Sequence, residues 1–384
     1  MVAYLCSRDN RVTRLERDGH SWAAHPVLDG VSATCVATDG GRVLVGTRGD
    51  GARLSLDGGG SWESTDLPER DVYSVAISGA DGALYAGTEP SRLFVSRDGR
   101  SWTELEALQE VPSKDQWSFP PRPETHHVRW IAPDPLAPDR LLVGIELGGV
   151  MYSEDAGRSF TDHRPGAKRD AHRLAWHPSA EGRAYEAAGD RAAWSRDGGV
   201  SWEAVDTGRD LGYCWALALD PADPDRWYVS AASGPWTAHA GEDAAGGLYV
   251  WEHGAWRRLG LPGESMPYAL AAIDGALLAG IAAASCTAAT AVRPGRRRGF
   301  GSARSWLWPP PASDAAAAIS PGRFVGNTLA TSTPSQNVQT VHRVSRDPRR
   351  TDNLETTDTA NTQLARLRAL SRVCGVGVRV SLGA

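Results

Sequence analysis

Residues 195–202 read SRDGGVSW, and near copies recur along the chain: ERDGHSW at 16–22, SLDGGGSW at 55–62, SRDGRSW at 96–102 and SEDAGRSF at 153–160. The aspartates fall at 18, 57, 98, 155 and 197, so the intervals are 39, 41, 57 and 42 residues. A period near forty with one enlarged interval is the mark of four-stranded units arranged as a propeller. The units share an interior. In one of them VYSVAISG (72–79) and ALYAGTE (83–89) alternate with period two, RLFVS (92–96) leads into the phrase, and WTELEAL (102–108) leaves it. Such alternation bounded by Gly, Asp and Pro is strand chemistry.

Between two antiparallel strands, D-G-G or D-G-x requires positive φ, which glycine supplies at little cost. The Asp carboxylate can then accept hydrogen bonds from the N–H groups of its own turn. Composition agrees with strands and turns. The chain has 15 Trp and 42 Gly and few Lys, and runs of strong helix formers are scarce. No run of about 18 apolar residues offers a transmembrane helix. The first twenty residues lack the apolar core of a signal peptide. Five cysteines, at 6, 35, 214, 286 and 374, share no metal-like spacing and suggest reduced thiols in a cytoplasmic protein.

With these phrases the chain resembles the Asp-box, or BNR-repeat, propellers of the sialidase-like and WD40/YVTN-like superfamily. That group includes sialidases, some endoglucanases, sortilin-type receptors and Ycf48-type photosystem assembly factors. The resemblance covers about residues 1–281. It implies that Asp18, Asp57, Asp98, Asp155 and Asp197 are structural turns on the rim, remote from any ligand.

Two further units are worn. Residues 215–256 keep WALALD and RWYVSAA but carry LYVWEHGAW in place of the phrase, and YALAA with ALLAGI (268–281) starts a last unit. The expectation is an all-β, seven-bladed propeller, with six blades as the alternative, an incomplete last blade and no C-terminal strand to close the ring. Residues 282–384 hold 14 Arg and 5 acidic residues, a net of +9, so the −5 of the whole chain leaves −14 on residues 1–281. An acidic body argues against nucleic acid.

The basic segment is expected to be out-of-frame translation or a disordered tail. Ala284–Val292, ASCTAATAV, has a permitted coding that reads E-L-Y-R-S-D-G-G once its first two bases are discarded. With suitable third bases A-S-W follows. A base missing near codon 282 would account for the loss of the phrase.

Strand direction alternates within a unit, so loops entering first strands share a face with loops joining second and third strands, and the Asp phrases lie opposite. This pools Asp71, Tyr73, Glu124, His126, His127, Arg129, Asp170, His172, Arg173, Tyr213, Trp215 and Tyr268 with Arg48, Glu89, Glu146 and Asp190. The enlarged interval, 109–128, and the loop at 233–247 enter the same face and suit walls or lids.

Three functions follow. A rigid ring with a mixed polar rim fits a scaffold that binds a protein, peptide or glycan as a monomer, with neither nucleic acid nor membrane as partner. A glycoside hydrolase needs two carboxyls about 5 Å apart, or further for inversion, and Glu89, Glu146, Asp71 and Glu124 are the candidates. The early Arg-Ile-Pro or Arg-Leu-Pro motif of the sialidases is absent. A metal-dependent enzyme would use His126, His172 and Glu146, whose donor types suit zinc or a similar divalent ion.

Overall fold

The turn chemistry of the repeated phrase is realised at four places. Ser61 donates its N–H (2.8 Å) and its hydroxyl (2.7 Å) to the two oxygens of Asp57, and Gly59 N–H donates to Ser55 Oγ at 2.7 Å. The same set recurs around Asp155 and Ser159, and around Asp197 and Ser201. At Asp98 the shorter phrase brings in the N–H groups of Arg100 and Ser101. Gly59, Gly99, Gly157 and Gly199 all have φ between 74° and 93°, the left-handed region that glycine reaches without strain. The Asp18 side chain lies outside the described residues.

These turns join strands in a computed structural model that describes residues 2–7, 9–18, 21–240, 245–261, 266–273, 275–281, 288–292 and 379–382. The chain is an all-β propeller. Six antiparallel sheets follow one another from Ala33 to Val292 as a six-blade arrangement, the alternative left open by the sequence. Their first strands are Ala33–Thr38, Val72–Ile77, Val128–Pro133, Ala171–Trp176, Tyr213–Leu219 and Pro267–Ile273. The last sheet has three strands, Pro267–Ile273, Ala276–Ile281 and Ala288–Val292.

The N-terminal sheet is the seventh, and one of its four strands departs from expectation. Val2–Ser7, Arg11–Asp18 and Ser21–Asp29 are joined by Arg379–Leu382, which pairs with the first of them from Ala3↔Leu382 to Cys6↔Arg379. The chain's end thus supplies a closing strand where the sequence suggested none. It lies against both Ala33–Thr38 and Pro267–Ile273. Residues 282–287, 293–378 and 383–384 of the 282–384 segment lie outside the described residues.

Sheets pack face to face because second strands from Val43 onward are largely buried on both sides. Val43–Thr47, Leu84–Thr88 and Leu141–Ile145 are buried at every residue, the continuous apolar pattern of a doubly covered strand. Glycine sets the approach distance. A Cβ at Gly87 would stand 2.5 Å from Val128 Cγ1 of the next sheet, and one at Gly46 would stand 2.6 Å from Val72 Cγ1. Indoles tie neighbours further, with Trp62 Nε1 donating to Val27 O and Trp176 Nε1 to Ala132 O.

Candidate functional site

One backbone irregularity builds the site. In six first strands the pairing with the second strand slips near its start, a β-bulge that swings the extra side chain out of the pleat. The bulged residues are Thr34, Tyr73, Arg129, His172, Trp215 with Ala216, and Tyr268. A bulge also frees a carbonyl from the ladder, and the preceding sheet satisfies it. Thr34 Oγ1 donates to Val72 O, Ser74 Oγ to Val128 O (2.8 Å), and His172 Nδ1 lies 2.6 Å from Cys214 O.

A second tier lies just above. Arg48, Glu89, Glu146 and Gly189 each follow a second strand and donate their N–H to Ser32, Asp71, His127 and Asp170, which precede the first strands. These positions are equivalent in the repeat, so the backbone is constant while the side chains differ. Charge therefore gathers here: Arg48, Asp71, Glu89, His127, Glu146 and Asp170. Glu146 and Asp170 also pair across neighbouring sheets as an isolated bridge.

The acids are mostly spoken for. Arg122, from the 109–128 loop, grips Glu89 with both terminal nitrogens and donates to Tyr73 OH at 2.9 Å. Glu146 Oε2 lies 2.6 Å from His127 Nε2 and 3.3 Å from Arg129 Nε. Burial alone would raise the Glu146 carboxyl, but Arg129 and His127 outweigh it and hold it well below the usual range. Asp71 accepts the N–H of Gly49 at 2.8 Å. Asp170 Oδ1 stands 3.4 Å from His172 Nε2, which also lies 3.2 Å from Tyr213 OH. Burial opposes charge on His172, yet Asp170 raises its pKa overall.

Aromatic rings fill the space between. Tyr73 stacks on His127 with centroids 4.1 Å apart, and Phe119 meets the same imidazole edge-on. Burial carries the Tyr73 phenol up to about 12 and Tyr213 well above its usual value. Trp215 touches His172, Tyr213, His239 and Tyr268, with the Arg129 guanidinium over its ring. The short helix Pro235–Ala238 of the second long loop is held by Tyr268 OH, which donates to Ala238 O at 2.7 Å. Trp236 on that helix is exposed.

Other pooled residues fall elsewhere. His126 turns away from His127, as period two demands. It meets Trp117 edge-on and Lys114 Nζ at 3.4 Å, and burial with Lys114 lowers its pKa to about 4. It is not in the group of donor atoms that includes Glu146 and His172; Asp170 completes that group. Glu124 is exposed on the loop. Arg173 lies over the Trp130 ring at 4.7 Å. Sequence reading missed Arg122 and His239, since nothing in a loop's sequence tells which residue folds inward. The signal for Arg122 was its place in the enlarged interval.

Comparison of the fold places the chain among propellers. The GH74 xyloglucanase from Xanthomonas campestris superposes with a TM-score of 0.57 at 17% identity, over 74% of this chain and 49% of its own. A YCF48 structure bound to D1 peptide gives 0.53 at 15% identity, covering 77% and 90%. The WD40 propeller domain of Doa1 gives 0.50 at 14%, covering 72% and 84%. The chain spans only 35% to 49% of the GH74 enzymes it matches. No family profile and no curated protein sequence matches it. At these identities the likeness shows the β-propeller fold, which serves both enzymes and scaffolds. No helix among the described residues is long and apolar enough to cross a membrane.

Proposed function

We propose that this chain is an Asp-box propeller acting as a binding scaffold, whose bulge-lined mouth takes a segment of a protein or peptide partner. The observation that carries this reading is the state of the acids. Glu89 and Glu146 are committed to Arg122 and Arg129, and Asp71 to the backbone at Gly49. A glycosidase needs one carboxyl held protonated as the acid beside an ionised one, whereas Arg129 and His127 hold Glu146 ionised. The turn bonds at Asp57, Asp98, Asp155 and Asp197 support the Asp-box assignment. YCF48 with its D1 peptide gives a precedent for the partner class. Buried Cys6, Cys35 and Cys214 are unbridged, which suits a reducing cytoplasm.

The test is capture of a partner by the full chain, compared with an Arg122→Ala, Trp236→Ala variant, alongside a glycan turnover panel. Scaffold function predicts a partner retained by the wild type, lost by the variant, and no turnover. Hydrolysis of any glycan that disappears in Asp71→Asn overturns it and restores the hydrolase reading.

We further propose a missing base near codon 282. Strand ends and phrase serines support it: Thr47 to Ser55, Thr88 to Ser96 and Ile145 to Ser153 each span eight residues. In the shifted frame the serine of R-S-D-G-G falls at codon 289, eight after Ile281. The pairing of Arg379–Leu382 with Val2–Ser7 stands against it. Truncation after Val292 separates the two. A shifted frame predicts unchanged thermal stability and a missing base on resequencing codons 275–300. A native closing strand predicts a lowered Tm and an intact frame.

A further inference from the structure

We propose that Glu146, Asp170 and His172 form a binding site for a divalent first-row transition metal. One carboxylate oxygen from each acid and one ring nitrogen of the histidine lie within 4.8 Å of one another. The ring is oriented for the task. A carbonyl only accepts, so the 2.6 Å contact with Cys214 O fixes the proton on Nδ1. In the neutral imidazole the lone pair is then on Nε2, on the side of Asp170. Imidazoles that bind metals are held in just this way, by a carbonyl or carboxylate on the other nitrogen.

Glu146 is 8% exposed, and its contacts with His127 Nε2 and Arg129 Nε fall on Oε2. A further feature is room made for Asp170. Its Oδ2 lies 1.9 Å from where a Cβ at position 189 would stand. Only glycine there lets the carboxylate lean inward, while the equivalent positions carry Arg48, Glu89 and Glu146.

Both acids are fixed by backbone, through the Glu146↔Asp170 bridge and the Gly189 N–H bond to Asp170 O. The donor set of two carboxylates and one imidazole suits Zn²⁺, Mn²⁺ or Fe²⁺ better than thiolate-seeking ions. Arg129 beside Glu146 offsets one of the two carboxylate charges, which weakens the attraction for a cation. The inference stands apart from the scaffold reading and survives its failure.

Calorimetry of the full chain with Zn²⁺ and with Mn²⁺ tests it. One ion per chain is expected, bound at least about tenfold more weakly by Asp170→Asn and by Gly189→Ala. His126→Ala should bind as the wild type does. Far-UV circular dichroism checks that the variants fold. Pulsed EPR of the wild type with Mn²⁺ should show coupling to one imidazole nitrogen, a readout that needs no variant. Dissociation constants above about 1 mM, equal affinity in a folded Asp170→Asn, or Mn²⁺ without nitrogen coupling each overturn the proposal.

Discussion

Glu186→Gln should stabilise the protein by about 3 kcal/mol at pH 7 and by nothing at pH 4. Glu186 lies mid-strand in Ala184–Ala188 with no exposed surface. Burial pushes its carboxyl up to about 8 from a usual 4.5, although the Lys168 N–H and the nearby Arg191 and Lys168 charges pull the other way. The folded chain therefore holds a proton that the unfolded chain releases. Between about pH 4.5 and 8 the unfolded state binds fewer protons, so stability falls as pH rises, by up to about 1.4 kcal/mol per unit. Below 4.5 both states are protonated and the carboxyl costs nothing. Above 8 the loss is complete. Glutamine keeps an oxygen for the Lys168 N–H, bonded at 3.1 Å in the wild type, and carries no charge to bury. Urea unfolding of both proteins across pH 4 to 8 should show two curves that coincide at the acid end and separate above it. Parallel curves would mean that Glu186 is not the titrating group.

Arg129→Met should cost about 3–5 kcal/mol, because it strands a buried charge. The Arg129 side chain is 13% exposed, its Nε is 3.3 Å from Glu146 Oε2, and its guanidinium covers Trp215. Methionine replaces most of the packing and none of the charge. The loss then arises from Glu146, left with His127 alone among its present partners. This has a consequence that simple loss of packing lacks. In the double variant Arg129→Met, Glu146→Gln the stranded charge is gone, and more than half of the lost stability should return. A double-mutant cycle by urea unfolding measures the coupling. If the two substitutions add, packing over Trp215 and not the ion pair is what Arg129 supplies.

Much of the fold could be read along the chain. The phrase SxDxGxSW carries its own structure, because the bonds of Asp197 to Ser201 and of Ser195 to Gly199 span four residues. Period-two runs such as VYSVAI name their own strands. The spacing of these local signals marks the repeat and the alternation of faces, and so pools Glu146, Asp170 and His172 on one of them. A local signal is legible because its partners are neighbours in sequence.

What joins Glu146 to Asp170, Arg122 to Glu89, or Arg379–Leu382 to Val2–Ser7 is of another kind. Arg122 sits in a loop whose own hydrogen bonds, such as Phe119 N–H to Thr125 O, do not say which side chain points inward. His126 and His127 are adjacent and chemically identical, and only the start of the first strand decided that His127 is buried against Glu146 while His126 faces Lys114. The bulges at Tyr73, Arg129 and His172 need a second strand and a neighbouring sheet to exist. Sequence by itself determined the turns, the strands and the repeat, since each is closed by bonds within a few residues. Tertiary structure decided which charges meet, because the ring brings together residues from different repeats and pairs them by distance and burial, neither of which the order of residues records.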